Sequence, residues 1–255
     1  MSAAEWAQPD CSRSSEVRIP VGETWPPSAR DGGEPALERG VDTVSNVVEK
    51  ARTAVLVDFG GVITSSVLRA FTDFGASLGG DPRLPLQLLG RDQPSRTLLA
   101  DHECGRIDAE AFERGFAERL RAHGADVPAE GLTARMQAGM SIDQDMLALL
   151  GDLRAAGYPV ALVSNSFGTG TYDGVDLAAV ADVVVISAAV GIRKPSRRIY
   201  AIACERLGID PEEAVMIDDL QQNLDGAARI GIGGVLHTSA ADTRRRLAER
   251  FRITP

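Results

Sequence analysis

Residues 53–64, TAVLVDFGGVIT, carry the strongest indication of the fold of this chain. Five small or apolar residues precede Asp58, which is typical of a strand buried on both faces. Gly60 and Gly61 then permit a tight turn, because neither carries a Cβ. A carboxylate at the carboxyl end of a buried strand lies where open α/β sheets bind their ligands. The alternative is that Asp58 only caps the strand.

Composition limits the classes of function. The chain has 255 residues, 44% of them hydrophobic, which is enough for one large domain or for a core with an insert. A net charge of -9 with no basic stripe argues against a nucleic-acid partner. We expect residues 244–246 (RRR) to be the solvated face of a final helix.

Cysteines and apolar runs indicate the compartment. Cys11, Cys104 and Cys204 are far apart and odd in number, so no disulfide framework or metal site is predicted, which suits a reducing cytoplasm. No apolar run reaches the roughly 18–20 residues of a membrane span, and no secretory signal is recognised at the N-terminus. We therefore expect a cytoplasmic protein without a membrane partner.

The first half of the chain changes character twice. Residues 1–36 are rich in Pro, Gly and Ser and are predicted to be a disordered tail, and residues 37–52 could form a helix. Residues 65–140 are predicted to be a helical insert, in which Asp108 is an N-cap and residues 81–93 form a loop.

From Asp143 onwards strands alternate with helices. Further strands are predicted at residues 159–163, 183–186, 214–217 and 234–237. Such alternation predicts an α/β fold with a doubly wound, Rossmann-like parallel sheet. The predicted core domain comprises residues 37–64 and 141–255, and the small α-helical cap domain is inserted after the first strand.

Polar residues follow several of these strands, at the same edge of the predicted sheet. They are Asp58, Ser164, Lys194 and the pair Asp218-Asp219. The chain has 25 arginines but only two lysines, Lys50 and Lys194. A lysine in such a sequence indicates a site that uses a compact point charge. Chance is the alternative for a single lysine.

The order of these motifs resembles the haloacid dehalogenase superfamily over about residues 53–237. The matching segments are 58–64 (DFGGVIT), 162–165 (LVSN), 191–195 (GIRKP) and 217–219 (IDD) with Asn223. Each motif is weak alone, whereas all four in order are a specific signal. Residues 105–112 (GRIDAEAF) are similar to the subgroup that contains the phosphatase domain of epoxide hydrolases.

The resemblance implies a set of roles. Asp58 would be the nucleophile and form an aspartyl-phosphate. Mg²⁺ would be held by Asp58, the carbonyl of Gly60 and Asp219, with Asp218 orienting the metal shell. The phosphate would be bound by Ser164, Asn165 and Lys194, the last of which also holds the nucleophile in line.

Gly60 departs from the family pattern. Most phosphatases of the family have there a second Asp, which serves as general acid/base. Glycine cannot pass a proton to the leaving group, so slow turnover or an acidic leaving group is expected. His102 and Glu103 of the insert are possible substitutes, but we expect both to be surface residues.

The function predicted by the resemblance is that of a Mg²⁺-dependent phosphatase, a hydrolase acting on a small phosphorylated metabolite. One alternative is a 2-haloacid dehalogenase, although dehalogenases of the family need no metal and usually have Tyr at the position of Gly60. The other is a non-catalytic phosphate-binding or regulatory protein. A monomer or homodimer is expected.

Overall fold

One parallel sheet organises the structure. A computed structural model describes residues 51–254, and within them five strands are paired in the order β3-β2-β1-β4-β5. The strands are β1 (Ala54–Val57), β2 (Val160–Ser164), β3 (Val183–Ile186), β4 (Ala214–Asp218) and β5 (Gly233–Leu236). The predicted α/β fold is confirmed. The predicted tail (residues 1–36) and residues 37–50 of the helix predicted over 37–52 lie outside the described residues.

Helices surround this sheet and connect its strands. Within residues 51–254 they are α1 (Val67–Ser77), α2 (Leu84–Arg91), α3 (Gln93–Glu103), α4 (Ala109–Ala122), α5 (Leu132–Gln137), α6 (Gln144–Ala155), α7 (Leu177–Val180), α8 (Ser187–Val190), α9 (Arg197–Leu207), α10 (Gln221–Ala228) and α11 (Ala240–Phe251). Helix α6 begins after Asp143 and α9 after Ser196, because each of these side chains accepts a backbone hydrogen bond at the helix start. The short helices α7 and α8 were not predicted.

Strand β1 is buried on both faces because it lies in the middle of the sheet. Val55 is in register with Val160 of β2 on one side and with Val215 of β4 on the other. Val55 and Val57 point into one hydrophobic cluster, which includes residues of α6 and α11, whereas Leu56 points into a second, with α9 and α10. An unbroken apolar run is therefore what this position requires.

Helices α1 to α5 lie between β1 and α6 and share a third hydrophobic cluster. Its largest fully buried side chains include Phe112, Phe116 and Leu132. The two ends of this helical segment meet where Thr64 and Ile142 form an antiparallel bridge. We retain, as a prediction, that residues 65–140 form a separate cap domain.

The prediction of a loop over residues 81–93 is wrong, because α2 occupies Leu84–Arg91. Prolines in a segment favour a loop, but Pro85 lies in the first turn of the helix. A backbone N–H there would have no acceptor within the helix, so proline is tolerated. Leu88, one turn later, is buried in the third cluster, and this packing stabilises the helix.

The surface of the described part agrees with the charge pattern. Arg244 and Arg245 of α11 are exposed, as predicted, and form ion pairs with Asp152 and Asp242 respectively. Arg246 was also predicted to be solvated, but it is half-buried and pairs with Asp242. Within residues 51–254 no helix combines the length and the apolar character needed to cross a bilayer.

We expect Phe116→Ala to destabilise the protein by about 3–5 kcal/mol, because it removes a fully buried aromatic ring from the third cluster. Glu118→Ala, an exposed position on the same helix, should change the free energy of unfolding by less than about 0.5 kcal/mol. Urea unfolding measures both. Equal effects of the two substitutions would contradict this packing of α4.

Candidate functional site

The carboxyl ends of the parallel strands meet at one edge and carry the predicted polar residues. Asp58 follows β1, Ser164 ends β2, Asp218 ends β4, and Lys194 lies in the loop before α9. Eight residues of the predicted motifs line one open cleft: Asp58, Phe59, Gly60, Ser164, Asn165, Lys194, Asp219 and Asn223. The structure therefore brings the predicted site residues together, with Asp218 beneath the lining.

Lys194 is the cation at the centre of this site. Its side chain is 1% exposed, and Nζ lies 2.6 Å from Asp58 Oδ1 and 2.9 Å from Asp218 Oδ2. Burial alone would lower the pKa of Lys194, but the two carboxylates raise it above its ordinary value. Its backbone N–H donates to Asn165 Oδ1 at 2.8 Å, which fixes the loop to the end of β2.

Asp218 holds Lys194 and does not face the cleft. It is fully buried and accepts hydrogen bonds from Lys194 Nζ and, at 2.9 Å, from the N–H of Leu220. Asn223 Nδ2 donates to both of its oxygens, at 2.9 and 3.1 Å. These bonds satisfy the carboxylate within the protein. The geometry thus supports a positioning role, and a contact of Asp218 with a metal shell stays a prediction.

Three carboxylates are crowded together at this edge. One oxygen from each of Asp58, Asp218 and Asp219 lies within 4.8 Å of the others. Burial raises the pKa of Asp58 to about 7, against the lowering effect of Lys194. Burial also raises the pKa of Asp219 to about 6, and the Asp218 carboxylate adds to this rise. Lys194 therefore compensates only part of the negative charge.

The double glycine lets the backbone approach Asp219. Gly61 has a φ of +79°, and a Cβ there would lie 2.2 Å from Asp219 Oδ2. Gly60 is different: its φ is not positive, and a Cβ would meet the Val67 side chain at 2.9 Å. The turn thus supplies backbone atoms to the cleft, and no side chain at residue 60.

Ser164 is held by a residue that the sequence did not point to. The hydroxyl of Tyr172 donates to Ser164 Oγ at 3.0 Å, and its ring packs edge-on against Phe59 at 4.8 Å. Burial raises the pKa of Tyr172 to about 12, so the hydroxyl remains a donor at neutral pH. No motif spacing marks this tyrosine, because its loop returns to β2 only in the folded chain.

The prediction that His102 and Glu103 are surface residues is wrong. They are 6% and 8% exposed, because the C-terminal end of α3 packs against α8. Glu103 lines the cleft together with Asp58, whereas His102 does not. Instead, His102 Nε2 accepts a hydrogen bond from the N–H of Gly168, and its ring stacks on Phe112. The pattern of α3 could not indicate this, since both residues are polar and end a short helix.

The outer part of the cleft is apolar. Phe71 and Phe167 lie with their ring centroids 5.1 Å apart, and Leu68, Leu99 and Met140 continue the same lining. Most of these side chains come from the helical segment between β1 and α6. The cleft therefore combines a charged floor at the sheet edge with an apolar upper wall.

Known proteins share this combination of sequence and fold. Residues 53–231 match the haloacid dehalogenase-like hydrolase family. The chain is 29% identical over 151 residues to flavin mononucleotide hydrolase 1 of Arabidopsis thaliana, covering 58% of this chain and 60% of that protein. It is 28% identical over 198 residues to (S)-2-haloacid dehalogenase 4A of Burkholderia cepacia, covering 74% and 84%.

Other matches are partial, and one solved structure is informative about the fold. The chain spans between 9% and 53% of the length of five other curated relatives. A haloacid dehalogenase family enzyme of Bacteroides thetaiotaomicron, solved with magnesium and inorganic phosphate, superposes with a TM-score of 0.54 at 24% identity. The superposition covers 74% of this chain and 96% of that one, and at this identity it establishes the fold alone.

We expect Lys194→Met to destabilise the protein by about 3–5 kcal/mol at pH 8, because it leaves Asp58 and Asp218 buried without their cation. The loss should be smaller at pH 5.5: a buried carboxyl takes up a proton more readily than an unfolded one, so falling pH relieves the uncompensated charge. Arg198→Met, at an exposed position of α9, is the matched control for urea unfolding. Similar losses for the two variants would show that the ion pairs contribute nothing.

Proposed function

The chain belongs to the haloacid dehalogenase-like hydrolase family, and from this premise we propose that it is a Mg²⁺-dependent phosphatase. Its substrate would be a small phosphorylated metabolite, hydrolysed through an aspartyl-phosphate on Asp58. One observation carries the proposal: Asp58 is fixed by Lys194 at 2.6 Å in a cluster of three carboxylates at the sheet edge. The relative named as a flavin mononucleotide hydrolase supports phosphate ester hydrolysis.

Asp58 is arranged as a nucleophile with one oxygen held and one available. Oδ1 lies 2.6 Å from Lys194 Nζ and accepts the N–H of Phe59 at 2.7 Å. No residue among 51–254 donates a hydrogen bond to Oδ2, and the side chain lines the cleft. Oδ2 would attack phosphorus as the bond to the leaving oxygen breaks, which divides one displacement into two.

The phosphate would be bound by the residues around Asp58. Ser164 Oγ and the Asn165 amide lie at the end of β2, and the Lys194 ammonium carries the positive charge. These groups are held by Tyr172 and by the hydrogen bonds between Asn165 and Lys194, so little reorganisation is needed as charge shifts in the transition state.

The donor set fits a hard divalent cation. All side-chain donors in the cluster are carboxylate oxygens, and a single ammonium offsets three of them. Asp58, the carbonyl of Gly60 and Asp219 would hold Mg²⁺, with Asp218 behind them. Mg²⁺, when bound, supplies positive charge that favours the ionised carboxylates and the phosphate oxygens.

A dehalogenase is the second candidate, since the Burkholderia cepacia relative aligns over 84% of its length. The carboxylates favour the phosphatase. Asp219 has no ion-pair partner in residues 51–254, and without a cation it would remain a half-buried charge beside Asp218. Release of halide from 2-chloropropionate, compared with release of phosphate from a metabolite panel, separates the two activities.

The cysteines support a cytoplasmic location for this activity. Among the described residues Cys104 and Cys204 are both free and buried. Thiols without disulfides are the usual state in a reducing compartment. We therefore keep the cytoplasm as the proposed location, alongside a phosphorylated small molecule as the substrate.

We expect Asp58→Asn to lower phosphate release by at least about 100-fold, because an amide is a poor nucleophile. The measurement is steady-state phosphate release from a panel of phosphorylated metabolites with Mg²⁺. Asp225→Asn, at an exposed position of α10, is the control and should keep full activity. Retention of more than about a hundredth of the activity in Asp58→Asn would exclude Asp58 as the nucleophile.

We expect MgCl₂ to raise the melting temperature of the EDTA-treated protein by several degrees, because the ion binds the folded carboxylate cluster and not the unfolded chain. Asp219→Asn should lose most of this increase, and Asp225→Asn should keep it. Differential scanning fluorimetry without substrate is the readout. An increase of the same size in Asp219→Asn would place the ion elsewhere.

A further inference from the structure

The cleft contains one carboxylate that the proposed function leaves without a role. Within the described part of the chain, three acidic side chains line it, Asp58, Glu103 and Asp219. The first is the proposed nucleophile and the third a proposed metal ligand. Glu103 remains, and the position of the usual general acid is taken by Gly60, which has no side chain. The chemistry therefore lacks a proton donor while a buried carboxyl of the same cleft is unused.

Glu103 is held firmly in its place. It ends α3, its side chain is 11% exposed, and its backbone carbonyl accepts a hydrogen bond from Ser187 Oγ of α8 at 2.5 Å. Gly105, just after the helix, has a φ of +67°, and a Cβ there would lie 2.7 Å from the carbonyl of Ala188. Such close packing fixes the end of α3 over the sheet edge, so the carboxyl is positioned without a flexible loop.

The contacts of the carboxyl leave it able to carry a proton. Arg193 Nε lies 2.7 Å from Oε2, but the pair lacks hydrogen-bond alignment, and Oε2 has no hydrogen-bond partner among residues 51–254. Burial raises the pKa of Glu103 to about 7, while Arg193, Lys194 and the Asn165 side chain oppose this rise. The Tyr172 hydroxyl also interacts electrostatically with this carboxyl. A carboxyl in this setting can exchange a proton near neutral pH.

The other titratable groups near the cleft are less suited to this task. His102 Nε2 accepts the N–H of Gly168, and the ring does not line the cleft. The Tyr172 hydroxyl donates to Ser164, and burial raises its pKa to about 12, far from neutral. Glu103 is therefore the group whose place and contacts fit a proton donor.

We propose that Glu103 is the general acid/base of this enzyme and replaces the side chain missing at Gly60; this inference rests on the proposed phosphatase function. In the first step Asp58 Oδ2 bonds to phosphorus, the bond from phosphorus to the leaving oxygen breaks, and the Glu103 carboxyl gives its proton to that oxygen. In the second step Glu103 takes a proton from water. The resulting hydroxide attacks phosphorus, and the bond to Asp58 breaks to release phosphate.

Two aromatic probes of similar size test this role, 4-nitrophenyl phosphate and 4-nitrobenzyl phosphate. The first releases a stable phenolate, whereas the second releases a basic alkoxide that needs a proton. Glu103→Gln should lower kcat/KM for 4-nitrobenzyl phosphate by about 10²–10⁴-fold, and for 4-nitrophenyl phosphate by less than about 10-fold. The fall of kcat/KM with 4-nitrobenzyl phosphate above neutral pH should also disappear in this variant.

Arg193→Met is the matched control, because it removes the ion pair and keeps the carboxyl. It should preserve the ratio of the two kcat/KM values and move the alkaline fall to higher pH, since Arg193 lowers the pKa of Glu103. If Glu103 only joins α3 to the core, each of Glu103→Gln and Arg193→Met will lower kcat/KM by the same factor for both probes. That result would overturn the proposal. Failure of the wild-type protein to release phosphate from either probe would overturn the phosphatase function itself, and this role with it.

Discussion

The buried ammonium of Lys194, between Asp58 and Asp218, is the interaction on which the rest of the site depends. Burying an ion is costly unless partners replace its water, and here two carboxylates do so. Asn223 Nδ2 and the N–H of Leu220 donate to the remaining oxygen of Asp218, Oδ1. Asn223 thus holds Asp218, Asp218 holds Lys194, and Lys194 holds Asp58. These contacts fix the position of the reactive carboxylate at the sheet edge.

This arrangement needs a parallel sheet and an insertion directly after β1. Parallel pairing brings the carboxyl ends of β1, β2 and β4 to one edge, where their polar residues meet. The helices inserted between β1 and α6 then supply the apolar wall of the cleft and place Glu103 beside the charged floor. Acid chemistry and substrate contacts can therefore reside in a segment remote from the motifs in sequence.

Local patterns predicted much of this structure. The strands follow from apolar runs that end abruptly in polar residues, and the cap at Asp108 follows from a short polar side chain just before a helix. Helix α2 was missed because proline was read as a loop residue, although it occupies the first turn. Its stability comes from packing against other helices, which no local pattern reveals.

Apolar runs, motif spacing and residue identity are enough to predict the α/β class, the polar residues at the strand ends and the missing side chain at Gly60. The support of Ser164 by Tyr172, the bond between Asp218 and Lys194, and the burial of Glu103 in the cleft are visible only in the folded protein. The physical reason is that burial and pKa depend on which segments pack together. The ends of helices, such as the C-terminal end of α3, carry no periodicity from which their neighbours in the fold could be inferred.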